Sequence, residues 1–467
     1  MNLEGRTRLH LGAATNWLPR WLAVVFPFSI AGSVLGQGVL VPGPGYQGSS
    51  GTPQLGSPGW NAGPATVQGN VQANGQNNAA PATPEGENGE NAAAPVGAPV
   101  QGLLRWGSLH VRTRASYQFL YSTGVHTAPG QSADTFTHTL SPGVTLDLGP
   151  HVSVDYSPSF RFFSQRDFHN TVDQFVTLTA GAGYGDWNFG VSQSFSRSDE
   201  PLVQTSGQTD TENYLTGVNA SYRFNDKISL ETSASVDLMA VGNSGTNGFV
   251  GGNTNAPALL TDSQNYSATE WLNYTFDEKL NAGVGVTVGY SEQNVGFRSL
   301  DEQYLGRFTW TPGNKLNVSL NGGIEDQQFL NSDAPDIVNP IFSVSAGYHL
   351  FEQTSFSLFA SRAVSASLFQ SQITETAQVG LGFQQRLLGA VELSLGFAYG
   401  TSDYKTTAGT LATVRSDETT SYSVALGVPF LKHGSFGTFY EYTKNSSSAG
   451  GFGFGSSQAG ATVSWAY

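Results

Sequence analysis

The sequence predicts an all-β fold, a transmembrane antiparallel up-and-down β-barrel of about 18 strands (16–18) preceded by a disordered leader. Three observations lead to this fold class. Beyond Trp106, apolar and polar residues alternate almost continuously, as in strands with one apolar face. The connections between these strands are alternately short and long. The polar strand positions hold mostly Gly, Ser, Thr and Asn, whereas a sheet that faces bulk water carries many Lys and Glu residues.

The composition excludes several classes of protein. Only 12% of the 467 residues are charged, about half of the usual share. Cysteine is absent, which excludes disulfides, thiolate metal ligands and a cysteine nucleophile. The formal net charge of −14 argues against nucleic acid as a partner, because phosphate binding requires clustered Lys and Arg. No cofactor is expected.

Residues 1–36 have the pattern of a signal peptide. Three arginines precede or adjoin the apolar run 21–32, and small residues follow it. Val34 and Gly36 suit the positions before a cleavage site, so we expect cleavage before Gln37. An uncleaved membrane anchor is the alternative, but the run is shorter than the roughly 20 apolar residues that span a bilayer.

Residues 37–103 differ in composition from the rest of the chain. They are rich in Gly, Pro, Asn, Gln and Ala and contain few branched apolar residues. Such a segment cannot bury enough apolar surface to offset its chain entropy, so we expect a disordered periplasmic tether. It serves as a spacer or recruits a periplasmic or cell-wall partner. Residues 104–467 then form the barrel, and deletion of the tether is expected to leave barrel folding intact.

The strand pattern is clear in residues 280–291, where apolar residues from Leu280 to Tyr290 occupy every second position. Asn, Gly, Thr and Ser occupy the positions between them. The same rule predicts strands at 107–121, 135–148, 151–164, 172–184, 187–197, 212–224, 228–240, 264–276, 280–291, 302–311, 316–325, 341–350, 354–362, 373–385, 391–400, 418–430, 435–443 and 456–467.

The connections after even-numbered predicted strands have only two to five residues. Those after odd-numbered strands are mostly longer and rich in Ser, Thr, Asn, Asp and Gly. This asymmetry is typical of barrels in the outer membrane of Gram-negative bacteria. It predicts tight turns in the periplasm, long loops outside the cell, and contact with outer-membrane lipid and lipopolysaccharide.

Pairs of aromatic residues precede several tight turns. Because aromatic rings are favoured at the boundary between lipid and water, these pairs predict an interfacial girdle. The apolar strand face then contacts lipid, and the face of small and polar residues lines the interior. A soluble β-sandwich is the alternative, which the scarcity of Lys and Glu disfavours. The predicted girdle consists of Tyr222, Phe224, Tyr274, Phe276, Phe308 and Trp310.

Residues 456–467 alternate to the end, with Val463, Trp465 and Tyr467 on one face. This stretch resembles the C-terminal signal that the bacterial barrel-assembly machinery recognises. Across residues 105–467, the chain also resembles the putative β-barrel porin-2 type of outer-membrane protein, whose large barrels are rich in Gly and aromatic residues. Because some members are associated with exopolysaccharide export, the resemblance implies a porin or an export channel.

The sequence predicts neither an enzyme nor a metal site. No histidine lies in a G-x-S-x-G or H-E-x-x-H context. The acidic loop residues do not follow the spacing of a calcium-binding loop.

Charged residues at inward positions are the candidate site. Two interpretations stay open: the charges line an aqueous channel and set its ion preference, or they pair with one another or support an inward-folded loop. The sequence therefore does not decide whether a channel would prefer cations or anions. The candidates are Arg112, Arg114, Asp155, Arg161, Arg223, Glu231, Asp237, Arg307 and Glu325, accompanied at the same parity by Asp147 and Glu392.

These features favour a passive porin-like channel for small solutes or for polysaccharide export. The alternative is a structural or surface-binding barrel with a blocked lumen. Two expectations test the assignment of faces and charges. Val286→Arg is expected to destabilise the barrel whereas Thr287→Arg is tolerated. Arg112→Glu combined with Arg114→Glu is expected to shift ion preference toward cations.

Overall fold

The computed structural model describes residues 104–128, 130–149, 151–202, 207–242, 260–294, 296–332, 334–369, 371–407 and 415–467. Within these ranges there are 19 strands, and no helix is long and apolar enough to cross a membrane. The expected signal peptide (1–36) and tether (37–103) lie outside the described residues, so the expectations for them remain predictions.

Within the described ranges, the strands follow one another with no helix between them. They are β1 (Leu104–Trp106), β2 (Leu109–Ala128), β3 (Gln131–Leu148), β4 (Val152–Phe163), β5 (Thr171–Tyr184), β6 (Trp187–Leu202), β7 (Gly207–Arg223), β8 (Ile228–Val241), β9 (Ser263–Asp277), β10 (Leu280–Gln293), β11 (Arg298–Gly313), β12 (Leu316–Phe329), β13 (Ile337–Phe351), β14 (Thr354–Ala366), β15 (Gln372–Leu387), β16 (Val391–Thr406), β17 (Arg415–Phe430), β18 (Gly434–Ser447) and β19 (Phe454–Ala466).

Strands β2 to β19 form a closed antiparallel barrel. Each pairs with its neighbours in sequence, and β19 pairs with β2 to complete the ring of 18 strands. The short strand β1 adds three residue pairs to the start of β2. Closure leaves no open edge, so the backbone groups of every barrel strand find partners inside the sheet. The predicted fold class is confirmed.

The tight turns join the strands at one end of the barrel, and polar side chains fix their geometry. In the turn between β7 and β8, the Asn225 side-chain oxygen accepts hydrogen bonds from the backbone N–H groups of Lys227 and Ile228 at 2.8 and 2.9 Å. Asp277 accepts one from the Lys279 N–H at 2.8 Å in the turn between β9 and β10. Asn and Asp favour such turns because their side chains replace a backbone partner.

The predicted strand ends agree with the structure within two residues at the tight turns, and differ by one to seven residues at the opposite, outer end. The strand predicted to end at residue 121 continues to Ala128, for example. Beyond the apolar belt both faces of a strand are polar, so the alternation that marks a strand in the sequence disappears there.

The outer face of the barrel is apolar. In β10, Val286 is 43% exposed whereas the adjacent Thr287 is 2% exposed, because successive side chains point to opposite sides of the sheet. The six predicted girdle residues lie on this outer face near the tight turns. A second set of exposed rings lies nearer the outer ends and includes Tyr214, Tyr266, Tyr304, Tyr422 and Tyr440. The apolar belt between the two sets is the lipid-facing surface of a transmembrane barrel.

Candidate functional site

The inner wall of the barrel carries the candidate functional residues. The strand register places all nine predicted candidates on the inward face. Each alternates with outward residues that are exposed or apolar; Asp155 lies beside Tyr156 and Arg307 beside Phe308, for example. Eight of the nine belong to three arginine-centred clusters or to a set of carboxylates that have no basic partner among the described residues, and Arg223 belongs to neither.

The first cluster lies on β2, β3 and β4. Arg112 donates two hydrogen bonds to Asp147, at 2.8 and 3.0 Å, and Arg114 donates two to Asp155, both at 2.6 Å. The Thr145 hydroxyl adds a third hydrogen bond to Asp155 at 2.6 Å. Bidentate pairs of this kind hold both side chains in one orientation. Two neutral ion pairs therefore lie side by side on one sector of the wall.

Arg114 reaches Asp155 by crossing the intervening strand β3 at Gly143. A methyl group at position 143 would lie 2.8–2.9 Å from atoms of the Arg114 side chain. The close approach therefore requires glycine at this position. Part of the Gly-rich inner face thus provides room for long side chains to lie flat on the wall.

The second cluster lies on β4, β5 and β6. One nitrogen of Arg161 lies 2.8 Å from a carboxylate oxygen of Asp173 and 2.5 Å from one of Glu200. One arginine therefore meets two acids, and the cluster has a formal charge of −1.

The third cluster extends from β8 to β11 and centres on Arg307. Its guanidinium lies 4.6 Å from the centre of the Trp271 ring, a cation–π contact. Its Nε donates to Asn273 Oδ1 at 2.6 Å, and its Nη2 lies 2.8 Å from Glu231. Asn273 Nδ2 in turn donates to Glu231 at 3.1 Å, so the side chains form one connected network.

Trp271 and Asn273 were missed by the sequence reasoning. Their signal lies on the neighbouring strand, where Gly285 and Gly283 face them directly in the register. An inward glycine that opposes a large inward side chain indicates that this side chain lies across it. That relationship could be found only once the strand register was known.

Several inward acids lack a basic partner among the residues that the structure describes. Glu325 accepts a hydrogen bond from Gln303 Nε2 at 2.8 Å. Asp301 accepts from the hydroxyl groups of Ser299 and Ser291 at 3.2 and 3.4 Å. Asp237 also forms no ion pair in the described ranges, and neither does the predicted candidate Arg223. The wall is therefore locally acidic on β8, β11 and β12.

The inner face is more tightly packed on β9 and β10 than expected. The hydroxyl groups of Thr287 and Thr269 are 2.9 Å apart, and both residues are buried. An arginine at position 287 would have to displace this packing. The structure therefore argues against the expected tolerance of Thr287→Arg, because an inward side chain need not face open water.

The outer mouth is partly covered by the loop between β14 and β15, whose described residues are 367–369 and 371. Gln293 of β10 donates through Nε2 to the Ser367 carbonyl at 3.0 Å and accepts from the Ser371 N–H at 3.1 Å. The Thr261 N–H donates to the Leu368 carbonyl at 3.0 Å. Because β11, β12 and β13 lie between β10 and β14 in the ring, the loop reaches inward over the mouth to make these contacts.

A buried apolar cluster adjoins this covering loop at Ala366 and Ile373. Phe297 and Phe329 meet edge-to-face with their ring centres 5.5 Å apart, and Ile373 packs with them. Among the expected alternatives, an inward-folded loop is therefore present, as are paired charges. Within the described ranges, no group of three or more His, Cys, Asp or Glu residues is placed to hold a metal ion.

Comparisons with known proteins add only remote resemblances. No family model matches the chain, and no curated protein matches it. Among solved structures, Pseudomonas aeruginosa OccK2 (OpdF) in complex with glucuronate is 10% identical, with 76% of this chain and 98% of that chain covered and a TM-score of 0.43. Acinetobacter baumannii OccAB3 is 9% identical, with 76% and 99% covered and a TM-score of 0.42.

The siderophore receptor PirA from Acinetobacter baumannii aligns at a similar level. It is 8% identical, with 76% of this chain and 80% of that chain covered and a TM-score of 0.42. Alignments this remote carry no weight for the function of this chain, so its own residues decide what can be proposed.

Proposed function

We propose that the chain forms a passive, porin-like channel for small solutes in the bacterial outer membrane. One observation carries the proposal: Arg114 lies on the inner wall, is held by Asp155, and is still 36% exposed. A charged side chain that is accessible inside a barrel with an apolar exterior faces water, not lipid. The interior of an 18-stranded barrel is wide enough for such an aqueous path.

The outer-membrane location is supported by the apolar belt and by the tight turns at one end of the barrel. Lipid would contact the belt, and lipopolysaccharide would contact the surface near the longer loops. Val463 and Trp465 lie on β19, the strand that completes the ring with β2. We include Val463, Trp465 and Tyr467 in the proposal as the signal for the barrel-assembly machinery.

The candidates for selectivity are the charges that remain partly exposed on the wall. Arg112 with Asp147, Arg114 with Asp155, and Arg307 with Glu231 are neutral pairs, so they orient a polar solute without imposing a strong net field. Asp237 and Glu325, which form no ion pair in the described ranges, make the remaining wall negative together with the acid-rich Arg161 cluster. Weak cation preference is the consequence.

A blocked barrel is the second candidate, and the covering loop is the observation that favours it. Ser367 and Leu368 are hydrogen-bonded to Gln293 and Thr261 at the outer mouth, and the buried cluster of Phe297, Phe329 and Ile373 adjoins the loop. In that case the barrel would be a structural or surface-binding protein, and its outer loops would carry that function.

Conductance of the purified full chain in a planar lipid bilayer separates the two candidates. Discrete conductance steps are expected for the channel. Silence in a sample that shows heat-modifiable mobility on a gel would refute the channel and support the blocked barrel. Liposome swelling with sugars of increasing size would then test the export hypothesis, because polysaccharide passage requires permeation to persist for oligosaccharides.

A further inference from the structure

Two buried carboxylates on the inner wall have no positive charge beside them. Asp301 of β11 and Glu325 of β12 are 7% and 5% exposed. Among the described residues, both form hydrogen bonds with neutral groups and neither forms an ion pair. Arg307, the inward arginine of β11, lies six positions from Asp301, about 20 Å along an extended strand. A carboxylate removed from water without a partner is unfavourable, so this pair needs either protons or a cation.

The two carboxylates share one small patch of the wall. Asp301 directly opposes Gln327 in the β11–β12 register, and Glu325 directly opposes Gln303, two positions further along. Diagonal neighbours of this kind on one face of a sheet are about 7–8 Å apart, which is within reach of long side chains. A single cation that lies between Asp301 and Glu325 can therefore contact both carboxylates.

Neutral oxygen atoms surround the same point. The hydroxyl oxygens of Ser299 and Ser291 lie 3.2 and 3.4 Å from the Asp301 carboxylate. Gln327 is 6% exposed, and its Nε2 donates to Ser299 Oγ at 3.3 Å. Its Oε1 is buried and accepts no hydrogen bond from any described residue. A buried amide oxygen that lacks a donor and lies beside two carboxylates has the chemistry of a ligand for a hard cation.

The neighbouring strands leave room for an ion and add a further ligand. Gly289 of β10 directly opposes Asp301, so the position beside that carboxylate carries no side chain. On the other side, Asn339 of β13 directly opposes Glu325, and its Nδ2 is buried without a partner among the described residues. A half-turn of this amide presents its oxygen instead. Two carboxylates, two amides and two hydroxyl groups then offer the oxygen ligands, about six to eight in number, that calcium takes.

We propose that one calcium ion binds on the inner wall between β10 and β13, held by Asp301, Glu325, Gln327, Asn339, Ser291 and Ser299. These side chains offer oxygen atoms and no imidazole or thiolate, the ligands that zinc and copper prefer. Magnesium demands a stricter octahedral geometry and gives up its water reluctantly, so this mixed set of ligands suits calcium better. The inference is independent of whether the lumen conducts.

The charge and place of the site set its strength and its effect. Because only two of the ligands are charged, we expect a dissociation constant of about 0.1–1 mM, the range of extracellular calcium-binding modules. The bound ion would neutralise Asp301 and Glu325. Ser291 lies two positions from Gln293, so the ion would also brace the strand ends that hold the covering loop.

Equilibrium dialysis against radioactive calcium measures the binding directly. The full chain is refolded in detergent without lipopolysaccharide, which would itself bind calcium. One ion per chain is expected, and magnesium should compete about tenfold more weakly or less well still. Asp301→Asn combined with Glu325→Gln keeps the shapes of both side chains and removes both charges, and should weaken binding by about tenfold or more. Gln327→Leu removes an oxygen ligand without changing the charge and should also weaken binding.

A matched control lies on the opposite face of the same two strands. Glu302 of β11 and Asp326 of β12 directly oppose each other at the same depth, but they point outward. Glu302→Gln combined with Asp326→Asn removes the same two charges and should leave calcium binding unchanged. Heat-modifiable mobility of each variant verifies that the barrel has folded.

Thermal unfolding gives a second readout that a merely structural role would not produce. Without calcium, the variant with Asp301→Asn and Glu325→Gln should be at least as stable as the unmodified chain, because it no longer buries two unpaired carboxylates. Calcium should raise the Tm of the unmodified chain and of the outward control, since it binds their folded state. It should leave the Tm of the inward variant unchanged.

Three results would overturn the proposal. The first is no saturable calcium binding by the unmodified chain, which would leave protons to neutralise the two carboxylates. The second is equal affinity in the folded inward variant, and the third is loss of binding in the outward control, which would place the ion on the outer surface. Should the inward double variant fail to fold, dialysis of the unmodified chain and of Gln327→Leu decides: binding must be present in the first and weakened in the second.

Discussion

Gly285 directly opposes Trp271 across the β9–β10 pair, and a methyl group at position 285 would lie 2.6 Å from the indole ring. The ring cannot move away freely, since the Arg307 guanidinium covers it at 4.6 Å. Gly285→Ala is therefore expected to destabilise the barrel by about 1–3 kcal/mol, the usual cost of overpacking. Urea unfolding followed by tryptophan fluorescence measures the change.

The control for this substitution is Gly347→Ala. Gly347 is also an inward glycine within a strand, but no atom lies within 4 Å of the added methyl group. Its stability should change little. Equal effects of the two substitutions would show that Trp271 is not held against Gly285.

Neutral substitutions in the Arg114–Asp155 pair should move ion preference in opposite directions. Arg114→Gln leaves an unpaired carboxylate on the wall and should shift the reversal potential toward cations. Asp155→Asn leaves an unpaired guanidinium and should shift it toward anions. The reversal potential should be measured at about 0.1 M salt, because the Debye length is then about 10 Å and the wall charges are not fully screened.

The double variant Arg114→Gln with Asp155→Asn should return close to the unmodified reversal potential. Shifts of the same sign in both single variants would exclude this pair from the conducting path. The Arg112→Glu and Arg114→Glu combination is a poorer test, because it adds two acids beside Asp147 and Asp155 and so brings four carboxylates together.

The cost of an outward arginine should depend on depth in the belt. Val284 is 65% exposed and opposes Leu272 and Gly306, so Val284→Arg should cost about 2–4 kcal/mol. Val338, 63% exposed at the outer end of β13, should accept arginine at a cost of about 0–1 kcal/mol.

Val286→Arg should cost less than Val284→Arg, because Glu270 directly opposes position 286 and can pair with the new charge. Unfolding of the three variants from vesicles in urea gives the order of stabilities. A cost that is the same at positions 284 and 338 would place the lipid boundary elsewhere.

Gln293→Ala should loosen the loop over the outer mouth. The substitution removes the side chain that bonds the Ser367 carbonyl and the Ser371 N–H. Single-channel conductance is expected to rise and to fluctuate more. Gln328→Ala is the control, since Gln328 also lies at an outer strand end but on the outward face. An unchanged conductance in Gln293→Ala would show that the loop does not limit the path.

The barrel itself could be predicted from the sequence because lipid imposes a strict rule on every strand. Each outward residue from Leu280 to Tyr290 must be apolar or amphipathic, and that requirement marks the strand directly in the sequence. Tight turns are marked equally clearly by Asn225 and Asp277, whose side chains complete the turn.

The interior could be predicted only in part, because no comparable rule governs it. Parity identified Arg114 and Asp155 as inward residues, but which acid each arginine meets depends on register and on glycines that allow a side chain to cross a strand. The covering loop could not be predicted, since its contacts with Gln293 join segments that are far apart in sequence.

The ring formed by β2 to β19 has a consequence for how the chain could be rewired. Seventeen of its pairings join strands consecutive in sequence, and only that between β19 and β2 is long-range, with Thr123 and Ser457 separated by 334 positions. Topologically the ring has no privileged first strand. A circular permutant that fuses the end of β19 to the start of β2 and opens the chain at the β9–β10 turn would preserve every pairing of the 18-stranded ring. It would turn that long-range seam into one more local hairpin.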